Sequence, residues 1–150
     1  MNKYHNKKVT YNNITFDSKK ERDYYIFFKK QEDEGLIHNL RLQVKYELLP
    51  AIYEEKEVQL KTKTKLVKKC IQQATNYIAD FVYEKDGETF VIDVKGIRTK
   101  EYLLKKKMML ALLKIKIIEK WCDRSFGMNI EQDEINITKE WLEDVDETRT

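Results

Sequence analysis

Tyr77-Ile78-Ala79-Asp80-Phe81-Val82-Tyr83-Glu84-Lys85-Asp86-Gly87-Glu88-Thr89-Phe90-Val91-Ile92-Asp93-Val94-Lys95 reads as a β-hairpin closed at Asp86-Gly87. Asp-Gly between two runs rich in β-branched and aromatic residues is a strong signal for a two-residue turn. Residues whose numbers sum to about 173 then lie opposite one another, so Asp93 faces Asp80. Side chains alternate with period two, which places Asp93 and Lys95 on one face with Val91, and Phe90, Ile92 and Val94 on the other. Apolar residues on both faces mark a central strand, where a charged pair is costly to desolvate without a partner. Two carboxylates about 5 Å apart across a ladder repel. A shared divalent cation is the expected remedy, with Lys95 beside it.

Upstream of the hairpin, Asn13 to Phe16 is a short extended piece that leads into Asp17-Ser18. A helix is predicted from about Lys19 to Glu34, opened by Ser18 with Glu21 as a capping box and closed by Gly35. On it, residues 21, 25, 28 and 32 share one face, so Glu21 lies on the side of Tyr25 and Phe28 that packs on a sheet. Leu40, Leu42, Val44, Tyr46 and Leu48 alternate with Arg41, Gln43, Lys45 and Glu47, a period-two strand that Pro50 ends. Residues 1 to 13 read as polar and loosely held. Glu54 to Lys69 reads as a hairpin extension or a flexible loop, before a long strand from about Cys70 to Glu84.

Downstream, a helix is predicted over about Lys100 to Leu113, with Leu104, Met108, Ala111 and Ile115 as its apolar stripe. Ile115 to Glu119 can begin another strand, and Asn136 to Val145 a short terminal helix. The order is helix, three strands, helix, strand. The expected fold is α+β, with helices on a mixed sheet whose first three strands form an antiparallel meander.

At 150 residues the chain is read as one domain, with a core at about 11–120 and an extension at 121–150. No apolar run approaches the roughly 20 residues of a membrane span, and Met1 to His5 carries no signal-peptide signature, so a cytoplasmic protein without membrane partners is expected. Cys70 and Cys122 lack metal-ligand spacing and fit a reduced compartment. The net charge of +3 says little, but lysines cluster at Lys61, Lys63, Lys65, Lys68 and Lys69, and again from Lys100 to Lys114. Such clusters permit a polyanionic partner without requiring one.

Each polar candidate also has an ordinary reading. Glu21 can be a capping residue alone, Asp80 can be salt-bridged to Arg98 or Lys95, and Gln43 can be merely exposed. Lys100, Lys107 and Lys114, spaced by seven, can track phosphates or snorkel beside a core.

Taken in order, Phe16-Asp17-Ser18-Lys19-Lys20-Glu21, Leu40-Arg41-Leu42-Gln43, Tyr77-Ile78-Ala79-Asp80-Phe81 and Asp93-Val94-Lys95-Gly96 resemble the core motifs of the PD-(D/E)XK nuclease superfamily, and in particular its small phage-encoded endonuclease-like members. The likeness runs from Tyr11 to about Lys120. Ala79 stands where the name-giving motif has proline, and Asp93 where many members have glutamate. The resemblance implies a restriction-endonuclease-like core and Mg²⁺- or Mn²⁺-dependent hydrolysis of DNA, in phage recombination, repair or branched-DNA processing inside the host cytoplasm. It implies Asp80, Asp93 and the Val94 carbonyl as metal ligands, with Glu21 completing the site or holding a second ion. Lys95 would orient or deprotonate water, and Gln43 would position water or phosphate. Double-strand cutting would favour a homodimer, since each chain offers one site. The alternative is a catalytically inactive nuclease-fold protein that binds DNA or protein, for example a phage inhibitor of a host defence complex. A nuclease subunit of a transposition-like complex would differ only in its partner.

Overall fold

The computed structural model describes residues 7–121. Within them the order is β1 (Val9–Tyr11), β2 (Ile14–Phe16), α1 (Lys19–Asp33), β3 (His38–Leu49), β4 (Ile52–Gln59), β5 (Thr64–Gln72), β6 (Thr75–Lys85), β7 (Glu88–Lys95), α2 (Lys100–Leu113) and β8 (Ile117–Trp121). The fold is α+β, with a four-stranded sheet in the order β3-β6-β7-β8. β7 runs antiparallel to β6 and parallel to β8, so the sheet is mixed, as expected. The expected terminal helix and Cys122 lie outside the described residues. No described helix is long and apolar enough to cross a membrane.

The described residues divide into two compact units, one holding 7–44, 79–98 and 117–121, the other Lys45–Ile78 and Thr99–Lys116. The core of the first is a cluster of Phe16, Tyr25, Ile26, Phe27, Phe28, Ile37, Phe81, Ile92 and Val94. Phe28 sits at its centre, with ring centroids 5.3 Å from Phe81 and 5.2 Å from Tyr83. α1 supplies four consecutive buried residues, Tyr25 to Phe28. Its ends are well specified: Ser18 Oγ accepts the Glu21 N–H at 3.1 Å. At the other end Gly35, at φ 76°, donates to Glu32 while Leu36 donates to Gln31, a Schellman closure.

Three expectations are corrected. Val9–Tyr11 is not loose but pairs with Ile14–Phe16, because Asn12 and Asn13 both adopt left-handed backbone (φ 48° and 62°) and close a tight turn. The long strand from Cys70 is two strands: β5 ends at Gln72 and β6 begins at Thr75. Cys70 therefore belongs to the β4–β5 hairpin, and of the two readings of Glu54–Lys69 the hairpin holds. On α2 the buried residues are Tyr102 and Met109, whereas Leu104 is 59% exposed. The stripe's last member also leaves the helix, since Lys114 turns left-handed (φ 58°) as the C-cap and Ile115 lies beyond it.

Candidate functional site

The hairpin β6–β7 sets the site. Its register runs from Lys85↔Glu88 to Phe81↔Ile92, and one further step brings Asp80 opposite Asp93. The Asp80 carboxylate turns to this position, accepting the Val94 N–H at Oδ2 (2.8 Å) and the Gln43 Nε2–H at Oδ1 (3.3 Å). It is also in hydrogen-bond contact with the Asp93 carboxyl. The two acids therefore lie on the same side of the sheet.

Their electrostatics follow from that contact. Burial first, and then the charge of Asp93, push the Asp80 carboxyl up to about 8; the Val94 N–H pulls in the opposite direction. Asp93 is 2% exposed and ion-paired to Lys95 Nζ at 2.8 Å. Lys95 is thus an ion-pair partner of Asp93. Arg98, the other cation considered for Asp80, pairs instead with Glu119 at 2.6 Å.

Glu21 enters from the first turn of α1. It lines a pocket of about 210 Å³ together with Asp17, Leu42, Gln43, Asp80 and Phe81. Its carboxyl is raised, chiefly by burial, then by the charge of Asp17, with Asp93 adding to the shift while the Asp17 N–H and Lys95 oppose it. Capping and site membership coexist in this one residue.

Gln43 has an unusual backbone. It lies inside β3 at φ 51°, a left-handed conformation that a strand residue other than glycine rarely adopts. Holding it costs about 1–2 kcal/mol. The departure coincides with the amide's reach to Asp80. Gln43→Gly is therefore expected to be more stable than Gln43→Ala by about 1 kcal/mol, the reverse of the usual strand preference. Chemical denaturation of the two variants, which both lack the amide, isolates the backbone contribution.

Lys100, Lys107 and Lys114 are exposed and belong to the second unit. Lys114 caps α2 and its Nζ donates to the Ala111 carbonyl, so the three do not continue as one helical row.

Sequence reading missed Glu119. It is the register partner of Asp93 across β7–β8, and its side chain is only 6% exposed in its bond to Arg98. The signal was present: an acid inside an apolar strand (Ile117-Ile118-Glu119), the same anomaly that marks Asp80. Asp17, on the pocket wall beside Glu21, was likewise read only as part of a motif.

Among the described residues, no three of His, Cys, Asp or Glu form a group that could hold a metal ion by themselves. The donor set is nonetheless suited to Mg²⁺ or Mn²⁺. Mg²⁺ commonly binds through one or two carboxylates, keeping water and substrate phosphate as its remaining ligands. Asp80 and Asp93 place two carboxyls in contact on adjacent strands. Asp80, Asp93 and the Val94 carbonyl are the residues that could hold the ion, with Glu21 nearby across the pocket.

The model of a family described as "Protein of unknown function (DUF1064)" matches residues 1–128. No curated protein and no solved structure matches the chain.

Proposed function

The chain belongs to the DUF1064 family, and from its geometry we propose that it is a Mg²⁺- or Mn²⁺-dependent DNA endonuclease with a PD-(D/E)XK core. The observation that carries this reading is the contact of the Asp80 and Asp93 carboxyls on adjacent strands, with the Lys95 ammonium 2.8 Å from Asp93. Structural ion pairs do not need the second acid. Its presence raises the energy of the apo protein, and such costs concentrate where function demands them.

Asp80, Asp93 and the Val94 carbonyl would hold the ion, which when bound neutralises charge on the phosphodiester and makes water more acidic. Lys95 keeps a positive charge beside the reacting phosphate and orients the attacking water. Asp80 is aimed by Gln43 and by the Val94 N–H, which leaves its position fixed by two donors. Glu21, with its raised affinity for a proton, adds a further carboxyl to the pocket wall that Asp17 and Asp80 also line. Hydrolysis adds water to phosphorus and breaks one phosphorus–oxygen ester bond, leaving a phosphate and a hydroxyl end.

Phage recombination, repair or branched-DNA processing is the proposed setting, with a homodimer where both strands are cut. The alternative reading is a non-catalytic nuclease fold that binds DNA or protein. The two readings part in one assay. Purified protein is expected to nick or cut DNA in a panel of linear, single-stranded and branched substrates with Mg²⁺ or Mn²⁺, and not in EDTA. Wild type inert on every substrate with both ions would sink the catalytic reading.

A further inference from the structure

The β4–β5 hairpin stands as a separate two-stranded sheet. All eight residues of β4 are exposed, and only Cys70 of β5 is half-buried. Two-stranded ribbons are marginal when nothing covers them, so one that is solvated on both faces calls for another explanation. The register supplies one. Across pairs such as Glu54↔Lys69, Lys56↔Val67 and Val58↔Lys65, period-two alternation puts Lys56, Lys65 and Lys69 on one face against the single acid Glu54. The opposite face carries Glu55 and Glu57 against the single base Lys68. The Leu60 N–H donates to the Lys63 carbonyl at 2.9 Å and continues the ladder, so Lys63 joins the cationic face at a tight tip that also bears Lys61. A solvated ribbon has no reason to sort its charges by face.

We propose that this lysine-bearing face is an arm that grips the phosphate backbone of duplex DNA. The inference rests on the nuclease reading for its choice of polyanion, and it deepens that reading by naming double-stranded substrate. Dimensions agree. A β-strand rises about 3.3 Å per residue, so Lys63 and Lys65 are about 6.6 Å apart, close to the advance of two nucleotides of one strand along the duplex axis at about 3.4 Å each. A two-stranded ribbon is also narrow enough to enter a major groove about 12 Å wide. Val58 and Val67, each 40% exposed, flank the lysines and offer apolar contact to the sugars.

The test measures binding of the full chain to a fluorescently labelled 30-base-pair duplex in EDTA, by anisotropy, over a range of salt concentrations. Lys56→Ala/Lys63→Ala/Lys65→Ala is compared with wild type and with Lys68→Ala on the acidic face. The triple variant is expected to lose at least tenfold in affinity near 0.1 M salt. Its log–log salt slope should become shallower by about 2–3, since each phosphate contact contributes about 0.9. Lys68→Ala should match wild type. Hydrolysis of bis(4-nitrophenyl) phosphate, too small to span the ribbon, should be unchanged in the triple variant. An unchanged slope, or a wild type that does not bind duplex, overturns the arm. So does a triple variant that loses self-association by sedimentation while keeping its DNA affinity, which would assign the face to a second copy. If duplex binding falls in the triple variant while wild type hydrolyses nothing, the arm stands and the catalytic reading is what fails.

Discussion

On the proposed nuclease reading, Asp93→Asn is expected to abolish DNA cleavage in either metal, a loss of at least about 10³-fold, equivalent to about 4 kcal/mol of barrier. The side chain keeps its shape and a hydrogen-bonding oxygen, so the domain stays folded. What disappears is a buried negative charge that would bind the ion and that holds Lys95 at 2.8 Å. The loss should fall in turnover, and added Mn²⁺ should not restore it. Circular dichroism and thermal melting alongside the cleavage assay separate this result from unfolding. Retained cleavage would remove Asp93 from the reaction. Lys95→Ala is a poorer test, because stripping the partner from a buried carboxylate destabilises by about 3–5 kcal/mol on its own.

The second large effect concerns stability. Asp80 holds its proton up to about 8 in the folded protein, against an ordinary carboxyl value of 3.8. Between those limits the folded state binds more protons than the unfolded one, so stability falls as pH rises. The favourable contribution is complete below about pH 4 and is lost as pH passes through about 8. Metal-free wild type should therefore melt progressively lower from pH 5 to pH 9. Asp80→Asn, which cannot ionise, should show a flatter profile and exceed wild type at pH 9 by about 2 kcal/mol. Mg²⁺ should raise the melting temperature of wild type and leave Asp80→Asn unmoved, because an ion stabilises only the state that binds it. Parallel melting curves across that pH range would contradict the strained acid pair.

Much of this arrangement was legible in the chain. Asp86-Gly87 between β-rich runs fixed the hairpin register, and the register alone carried Asp80 to Asp93. Ser18, Glu21 and Gly35 marked both ends of α1, since cap chemistry is local. Less legible were features that depend on distant contacts or on backbone conformation. The Asn12-Asn13 turn was hidden because a polar run looks the same whether it is ordered or loose. The break between Gln72 and Thr75 carries no glycine or proline, so nothing announced it. The left-handed Gln43 has no sequence signature, because the alternation on either side of it is regular. On α2, leucines and methionines occur all round the helix, and a pattern without contrast cannot say which face is buried.

Val94 joins two demands in one residue. Its amide is spent on Asp80 and its side chain belongs to the hydrophobic cluster that holds α1. The acids are thus spaced by the packing beneath them and not by a flexible loop. Over generations, then, that valine is tied twice: a substitution that reshapes the interior also retunes the acids, and mutational drift at this position should be slow even though the side chain itself takes no part in chemistry.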